Sequence, residues 1–161
     1  MTTPIVPIIM GSKSDLEHAR KISSKLTEYG IESELRVGSA HKVASYLLNV
    51  LNTYESDPRP KVYITIAGRS NALSGLVDAH VSAPVIACPP PSQQFGGADI
   101  YSSIRMPSWV TPALILDPGN AALFVAKVFG QYSAEAKQAV ANQQAYSREQ
   151  VLNADKELNP A

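Results

Sequence analysis

Five short apolar runs alternate with segments of helical periodicity along the chain, and this alternation restricts the folds that are open to it. The runs are PIVPIIM, IESELRV, KVYITIAG, APVIACPPP and PALILD. After the first run, Leu16, Ala19, Ile22 and Leu26 recur at helical spacing and stop before Gly30. A repeated strand–helix order predicts an α/β fold with right-handed crossovers, here a three-layer αβα sandwich built on a flavodoxin-like, doubly wound parallel sheet.

Length and charge set further limits. The 161 residues, of which 45% are hydrophobic, fit a single domain over residues 1–161 with a sizeable core. Fourteen basic and fourteen acidic residues cancel, which argues against nucleic acid or an anionic membrane as a partner. No apolar run reaches the roughly 20 residues needed to span a bilayer. The single cysteine, Cys88, cannot form an internal disulfide, so we expect a reducing, cytoplasmic location.

The loops that follow the predicted strands are the places to look for a ligand. Sheets of this type bind ligands at the carboxyl ends of their strands. The loops concerned are 11–15, 38–42, 67–71 and 89–97, and they hold the polar stretches of interest.

The first loop, GSKSD, suits a phosphate group. Gly11 allows a tight turn, and Ser12 and Ser14 add hydroxyl donors near a helix start. Asp15 would repel a phosphate, so it either caps the helix or accepts from sugar hydroxyls. Serine and aspartate are also the commonest helix caps, and capping alone would explain the whole loop. The spacing does not match a Walker A loop.

The second loop, GSAHK, carries the candidate for proton transfer. Histidine is the side chain type best suited to accept and return a proton at physiological pH, so His41 is the candidate proton shuttle, while Lys42 can meet a phosphate as a point charge. A lone loop histidine is more often structural than catalytic, but this loop should open on the same edge as GSKSD. His18 and His80 fall within helical patterns, which favours surface or packing roles.

The third and fourth loops would complete a pocket. In AGRSN, the side chains of Arg69, Ser70 and Asn71 could donate hydrogen bonds to a ligand. Alternatively, Ser70 or Asn71 could cap the next helix. In CPPPSQQFGG, three prolines stiffen a wall and a glycine pair allows movement. Cys88 is predicted to be a buried, small apolar residue, because the sequence shows no histidine obviously placed to activate its thiol. We find no metal-ligand cluster, so the residues indicate a phosphorylated small molecule and proton-transfer chemistry, without a metal or other cofactor.

The four motifs MGSKSD, SAHK, AGRSN and CPP together resemble the aminoimidazole ribonucleotide (AIR) carboxylase family of purine biosynthesis, over about residues 5 to 130. One branch of that family is a carboxyaminoimidazole ribonucleotide mutase, whose second motif reads SAHR and whose third contains a histidine. This chain has SAHK, and no histidine occurs from 67 to 79. It is therefore more similar to the class II branch, which uses carbon dioxide directly.

The resemblance implies the reversible carboxylation of 5-aminoimidazole ribonucleotide to 4-carboxy-5-aminoimidazole ribonucleotide, without ATP, biotin or metal. It implies that His41 is the catalytic residue. The implied substrate-binding residues are Ser12 and Lys42 at the phosphate, with Ser14 and Ser39 nearby, Asp15 at the ribose, and Gly68, Ser70 and Asn71 at the carboxyl group. It also implies a homo-octamer or homo-tetramer whose subunits share sites, and we expect helix 133–157 to pack on a neighbouring subunit.

Two alternative interpretations of the function remain open. The first is the mutase branch, with the same fold and a different substrate. The second is a non-enzymatic, flavodoxin-like module that binds a phosphorylated ligand. A receiver domain fits poorly, because it needs an aspartate after its third strand, where this chain has Ala67 and Gly68.

Overall fold

One sheet of five parallel strands forms the centre of the computed structural model, which describes residues 3–92 and 94–159. The strand order is β2-β1-β3-β4-β5, and the predicted flavodoxin-like, doubly wound sheet is thereby confirmed. The strands are β1 (Ile5–Met10), β2 (Glu32–Val37), β3 (Tyr63–Ile66), β4 (Val85–Ala87) and β5 (Ala113–Leu114).

Strand β1 lies in the interior of the sheet and sets its register. Ile8 is paired with Leu35 of β2 on one side and with Ile64 of β3 on the other. The chain moves outwards from β1 to β2 and then returns to the opposite side of β1 for β3. This reversal of direction leaves a crevice at the carboxyl ends of the strands.

Helices cover both faces of the sheet. The helices α1 and α5 pack together on one face, where α6 packs on α5, while α2 and α3 pack on the other face. Their bounds, with that of the short α4, are α1 (Leu16–Glu28), α2 (Ala44–Glu55), α3 (Ala72–His80), α4 (Tyr101–Ile104), α5 (Pro118–Phe129) and α6 (Ala134–Leu158).

The core divides into two apolar clusters, one on each face. Strand β1 is buried along its whole length, and its side chains alternate between them. Val6 and Ile8 belong to the cluster with α1 and α5, whereas Ile5 and Ile9 belong to the cluster with α2 and α3. A strand buried on both faces explains the continuous apolar run at the start of the sequence.

The last two strands are shorter than their apolar runs. Strand β4 stops at Ala87, shortly before Pro89–Pro91, and the two-residue β5 follows Pro112. Proline has no N–H to donate to a sheet, so the chain cannot continue the ladder through the prolines after β4 or begin β5 before Ala113. A 3₁₀ turn (Ala98–Ile100) and the short α4 lie between these two strands.

Helix α6 extends over the segment predicted from residues 133–157. Ser133 caps it by accepting from the N–H of Ala136, the only residue of α6 that is buried within the chain. Tyr146 and Leu158 are 59% and 82% exposed. Within residues 3–92 and 94–159, none of the helices combines the length and the apolar character that a membrane span requires.

We predict that truncating Ile64, which is fully buried between Ile8 and Ile86, weakens the fold in proportion to the volume removed. Ile64→Ala should lower the free energy of unfolding by about 3 kcal/mol and Ile64→Val by about 1 kcal/mol, because the larger cavity forfeits more contacts. Urea denaturation measures both. Equal losses for the two variants would contradict the close packing of this face.

Candidate active site

The four loops expected to carry function open into one cleft of about 810 Å³. The cleft lies at the carboxyl ends of β1 to β4, as the parallel topology requires. Its lining comprises Gly11, Ser12, Ser14, Asp15, Ser39, Ala40, His41, Lys42, Ala67, Gly68, Arg69, Ser70, Leu73, Pro90, Pro91, Ser92, Gln94 and Asp99.

Eight of the nine residues predicted from the sequence to form the site belong to this lining, and the ninth, Asn71, does not.

The first loop, after β1, combines local capping with access to the cleft. Ser12 caps the 3₁₀ turn (Lys13–Asp15), since its Oγ accepts from the Ser14 N–H at 3.2 Å. The Ser14 hydroxyl lies 3.0 Å from Oγ of Ser12 and 3.4 Å from Oδ1 of Asp15, so its one proton serves either acceptor. The Ser12 hydroxyl therefore keeps its own proton for a ligand. Both interpretations of this serine, capping and ligand binding, are compatible with the geometry.

Asp15 stands at the start of α1, but its carboxylate accepts no capping hydrogen bond from the described residues of that helix. It lines the cleft and is half-buried. Burial raises the pKa of Asp15, while a hydrogen bond from Ser14 and the charge of His18 oppose that rise. Of the two roles expected for Asp15, hydrogen-bonded capping is absent here, and its oxygens remain accessible from the cleft.

The second loop passes close to α2 at Gly38. A Cβ on Gly38 would lie 3.0 Å from Cδ1 of Leu47. Ser39 then organises the turn, with its Oγ accepting from the Lys42 N–H at 3.3 Å. This arrangement leaves the side chains of His41 and Lys42 exposed at the cleft.

The third loop contributes Gly68, Arg69 and Ser70 to the wall. Arg69 has a φ of 60°, a left-handed conformation that is uncommon outside glycine. Its N–H donates to Oδ2 of Asp99 at 3.0 Å, and its guanidinium donates to Oε1 of Gln94 at 3.3 Å. Neither Asp99 nor Gln94 was selected from the sequence, although both lie in or next to the loop after β4.

Asn71 is buried and is not among the residues that line the cleft. Its Oδ1 accepts from the N–H of Ser74 at 3.0 Å and caps α3, and its Nδ2 donates to Oγ of Ser103 at 2.8 Å. The alternative that Asn71 caps the helix is confirmed. Both polar atoms of the side chain are thus engaged within the chain, which favours a supporting role for Asn71 over the predicted contact with a bound carboxyl group.

The fourth loop contributes a further part of the wall. Pro90, Pro91, Ser92 and Gln94 line the cleft, and Gln93 lies outside the described residues. Gly96 and Gly97 have φ values of 57° and 80°, which glycine adopts without steric cost. The glycine pair thus allows the chain to turn from the proline wall into the 3₁₀ turn that bears Asp99.

The cleft is locally charged although the chain has no net charge. Lys42 and Arg69 supply fixed positive charge, and Asp15 and Asp99 supply carboxylates. Among residues 3–92 and 94–159, no group of three or more His, Cys, Asp or Glu side chains is arranged to hold a metal ion.

Cys88 lies beside a histidine that the sequence did not place there. Nε2 of His18 is 3.5 Å from Sγ of Cys88 and 3.1 Å from its carbonyl oxygen. Burial raises the pKa of the Cys88 thiol to about 12 and lowers the pKa of His18. The thiol therefore stays protonated, and the packing roles expected for Cys88 and His18 fit the structure.

Comparison with known proteins identifies the family. A family model described as AIR carboxylase matches residues 5–150. The chain belongs to the AIR carboxylase family. It is 52% identical over 155 residues to the phosphoribosylaminoimidazole carboxylase of Treponema denticola, a match that covers 96% of this chain and 98% of that protein.

Two further similarities agree with this family. The phosphoribosylaminoimidazole carboxylase of Archaeoglobus fulgidus is 52% identical over 151 residues, covering 94% of this chain and 83% of that one. The crystal structure of Treponema denticola PurE superposes with a TM-score of 0.95 at 52% identity, covering 97% of this chain and 99% of that chain. The fold and the order of the loops are therefore those of the family.

We predict that Asn71→Ala lowers the free energy of unfolding by about 2 kcal/mol, because it removes a helix cap and leaves buried polar partners unsatisfied. Asn71→Asp keeps the oxygen that accepts from Ser74 and should lose less. Denaturant titration compares the two. Wild-type stability in Asn71→Ala would contradict the capping role.

Proposed function

We propose that this chain catalyses the reversible carboxylation of 5-aminoimidazole ribonucleotide with carbon dioxide, giving 4-carboxy-5-aminoimidazole ribonucleotide. The observation that carries the proposal is the convergence of His41, Lys42 and the GSKSD loop on one cleft. The relatives from Treponema denticola and Archaeoglobus fulgidus, both named phosphoribosylaminoimidazole carboxylase, support it.

The phosphate is assigned to the end of the cleft formed by the first two loops. Ser12 and Ser39 both accept local backbone hydrogen bonds, which leaves each hydroxyl proton available to donate to a phosphate oxygen. Lys42 adds a positive charge, and Ser14 lies next to Ser12. In this arrangement Asp15 accepts from the ribose hydroxyls, which keeps its negative charge away from the phosphate.

The proposed chemistry is a proton transfer coupled to formation of a carbon–carbon bond. Carbon 4 of the electron-rich aminoimidazole attacks carbon dioxide, and this carbon then bears both its hydrogen and the new carboxylate. The neutral imidazole of His41 accepts the proton, and the ring regains its aromaticity. In the reverse direction the imidazolium returns the proton to carbon 4, and carbon dioxide leaves.

The third loop is assigned to the carboxyl group. Gly68 and Ser70 line the cleft, and small residues and a hydroxyl there allow the new carboxylate to approach the backbone closely. Fixed donors of this kind stabilise charge as it develops. We assign Asn71 to the support of this loop through its cap on α3, and not to contact with the substrate.

The mutase reaction is the principal alternative, and a substrate comparison distinguishes the two. The purified chain is supplied with aminoimidazole ribonucleotide and bicarbonate as the source of carbon dioxide, or with carboxyaminoimidazole ribonucleotide alone. Ultraviolet absorbance follows the product. The proposal requires turnover of the first substrate that depends on carbon dioxide. Turnover of the second substrate alone indicates the mutase, and no turnover of either favours the non-enzymatic phospholigand-binding module.

Assembly, domain extent and location complete the proposal. We propose that residues 1–161 act as one domain in the cytoplasm, in a homo-octamer or homo-tetramer that shares its sites, with α6 against a neighbouring subunit. The exposed apolar side chains of α6 and the 97% exposed Trp109 support burial by another copy. Light scattering of the purified chain tests the assembly, and a stable monomer that retains full activity contradicts it.

We predict that His41→Asn lowers kcat by about 10²–10⁴-fold, because the substituted amide cannot accept the ring proton. Circular dichroism and ribonucleotide binding should stay close to those of the wild type. His80→Asn is the matched control, since His80 contacts Asn52 outside the cleft lining and the variant should retain normal turnover. Near-normal turnover in His41→Asn would refute the assignment.

We predict that Lys42→Ala raises the KM for the ribonucleotide about tenfold or more with little change in kcat, because a phosphate contact contributes equally to ground and transition states. Lys25→Ala removes a lysine on α1 that pairs with Glu28 outside the cleft lining, and it should leave both constants unchanged. Steady-state kinetics at fixed ionic strength make the comparison. An unchanged KM in Lys42→Ala would contradict the role of Lys42 in binding the phosphate.

A further inference from the structure

The left-handed backbone at Arg69 is a strained point in the wall of the cleft. Arg69 has a φ of 60°, and only one other described residue besides glycine, Trp109, has a positive φ. Such a conformation persists only where the surroundings hold it in place. Because Gly68 and Ser70 flank Arg69 in the same wall, their placement depends on whatever holds this peptide.

The segment after the glycine pair supplies the hold. Oδ2 of Asp99 accepts from the Arg69 N–H at 3.0 Å. Oγ of Ser102 accepts from the Asn71 N–H at 3.0 Å and lies 3.2 Å from the Arg69 carbonyl oxygen and 2.8 Å from that of Asp99, so its one proton serves either acceptor. The backbone on both sides of the strained residue is thus tied to one short segment.

The use of a carboxylate at Asp99 has a chemical consequence. An ionised carboxylate only accepts hydrogen bonds, and its bond to an N–H is stronger than a neutral one. With its N–H engaged by Asp99, Arg69 does not offer that donor to a bound carboxyl group. The donors left to such a group at this turn come from neighbouring positions, including the Ser70 hydroxyl.

We propose that Asp99 is a positioning residue for the carboxylation: it holds the Arg69 peptide in its left-handed conformation and thereby fixes Gly68 and Ser70 where the new carboxylate forms. This inference rests on the proposed function of the cleft. Asp99 acts through the turn: its oxygen accepts a hydrogen bond from the Arg69 N–H, and its carboxyl group does not transfer a proton in the reaction.

The experiment compares Asp99→Ala, Asp99→Asn and a matched control. Asp78→Ala is the control, because Asp78 also accepts from a backbone N–H, that of Thr111 at 2.7 Å, but lies outside the cleft lining. For each variant, kcat and KM are measured together with hydrogen–deuterium exchange of the amides at residues 69–71 in the free protein. Circular dichroism reports folding.

We predict that Asp99→Ala lowers kcat by about ten- to a hundredfold, because small misplacements of reacting groups carry costs of this size. The KM for the ribonucleotide should change little, since the phosphate seat is elsewhere, and the Arg69 amide should exchange faster. Asp99→Asn retains an acceptor oxygen and should recover most of the kcat and of the amide protection. Asp78→Ala should match the wild type in kcat and in exchange at residues 69–71.

Several outcomes overturn the proposal. If Asp99→Asn is as inactive as Asp99→Ala while its Arg69 amide stays protected, Asp99 acts through its charge and not through the turn. Normal kcat in Asp99→Ala despite faster exchange means that the position of the turn is unimportant. Should Asp99→Ala fail to fold, Ser102→Ala replaces it. This variant should lose kcat and the protection of the Asn71 amide against exchange. Wild-type values of both would contradict the role of this segment in holding the turn.

The exchange measurement also separates this inference from the proposed function. If the wild-type chain carboxylates no substrate, the proposed function fails. Faster Arg69 exchange in Asp99→Ala, reversed in Asp99→Asn, then still supports the hold of Asp99 on the turn. Equal protection of the Arg69 amide in the wild type and in Asp99→Ala overturns that hold, whatever the activity.

Discussion

Parallel pairing of the strands is the constraint on which the rest of the structure depends. Because all five strands run in the same direction, the loops that follow them emerge at one edge, and residues far apart in sequence meet there. β1 makes this possible. It is buried on both faces and paired on both sides, so it aligns the loop at Ser12 with the loop at His41 and the loop at Ser70. The cleft is a consequence of that alignment and needs no separate framework.

The hydrogen bonds inside each loop serve the fold and the chemistry together. The Ser12 and Ser39 hydroxyls each accept from a nearby backbone N–H, and each keeps a proton to donate. Capping and ligand binding are therefore not competing explanations of these serines, because a hydroxyl can do both. Asn71 differs, since its oxygen and its nitrogen both bond to partners within the chain. Its contribution to the site is the placement of a helix.

Much of this arrangement could be predicted from the sequence. The features that could not be predicted depend on contacts between distant parts of the chain or on the direction of a side chain. Strand periodicity located the loops, and residue chemistry within them selected His41, Lys42, Ser12 and Ser14, while the family resemblance added Ser39. The hold of Asp99 on Arg69 spans 30 residues, and the contact of His18 with Cys88 spans 70, so no local pattern encodes either. For Asn71 the residue type was informative but the direction of its side chain was not, because that direction follows from the backbone angles at the start of α3.

The proline run after β4 makes part of the cleft wall chemically different from the rest. Pro90 and Pro91 line one wall, and neither has a backbone N–H. An anion bound in the cleft therefore finds no main-chain N–H donor at these two positions. Replacing either proline would introduce a main-chain N–H donor at a position of the lining that now has none.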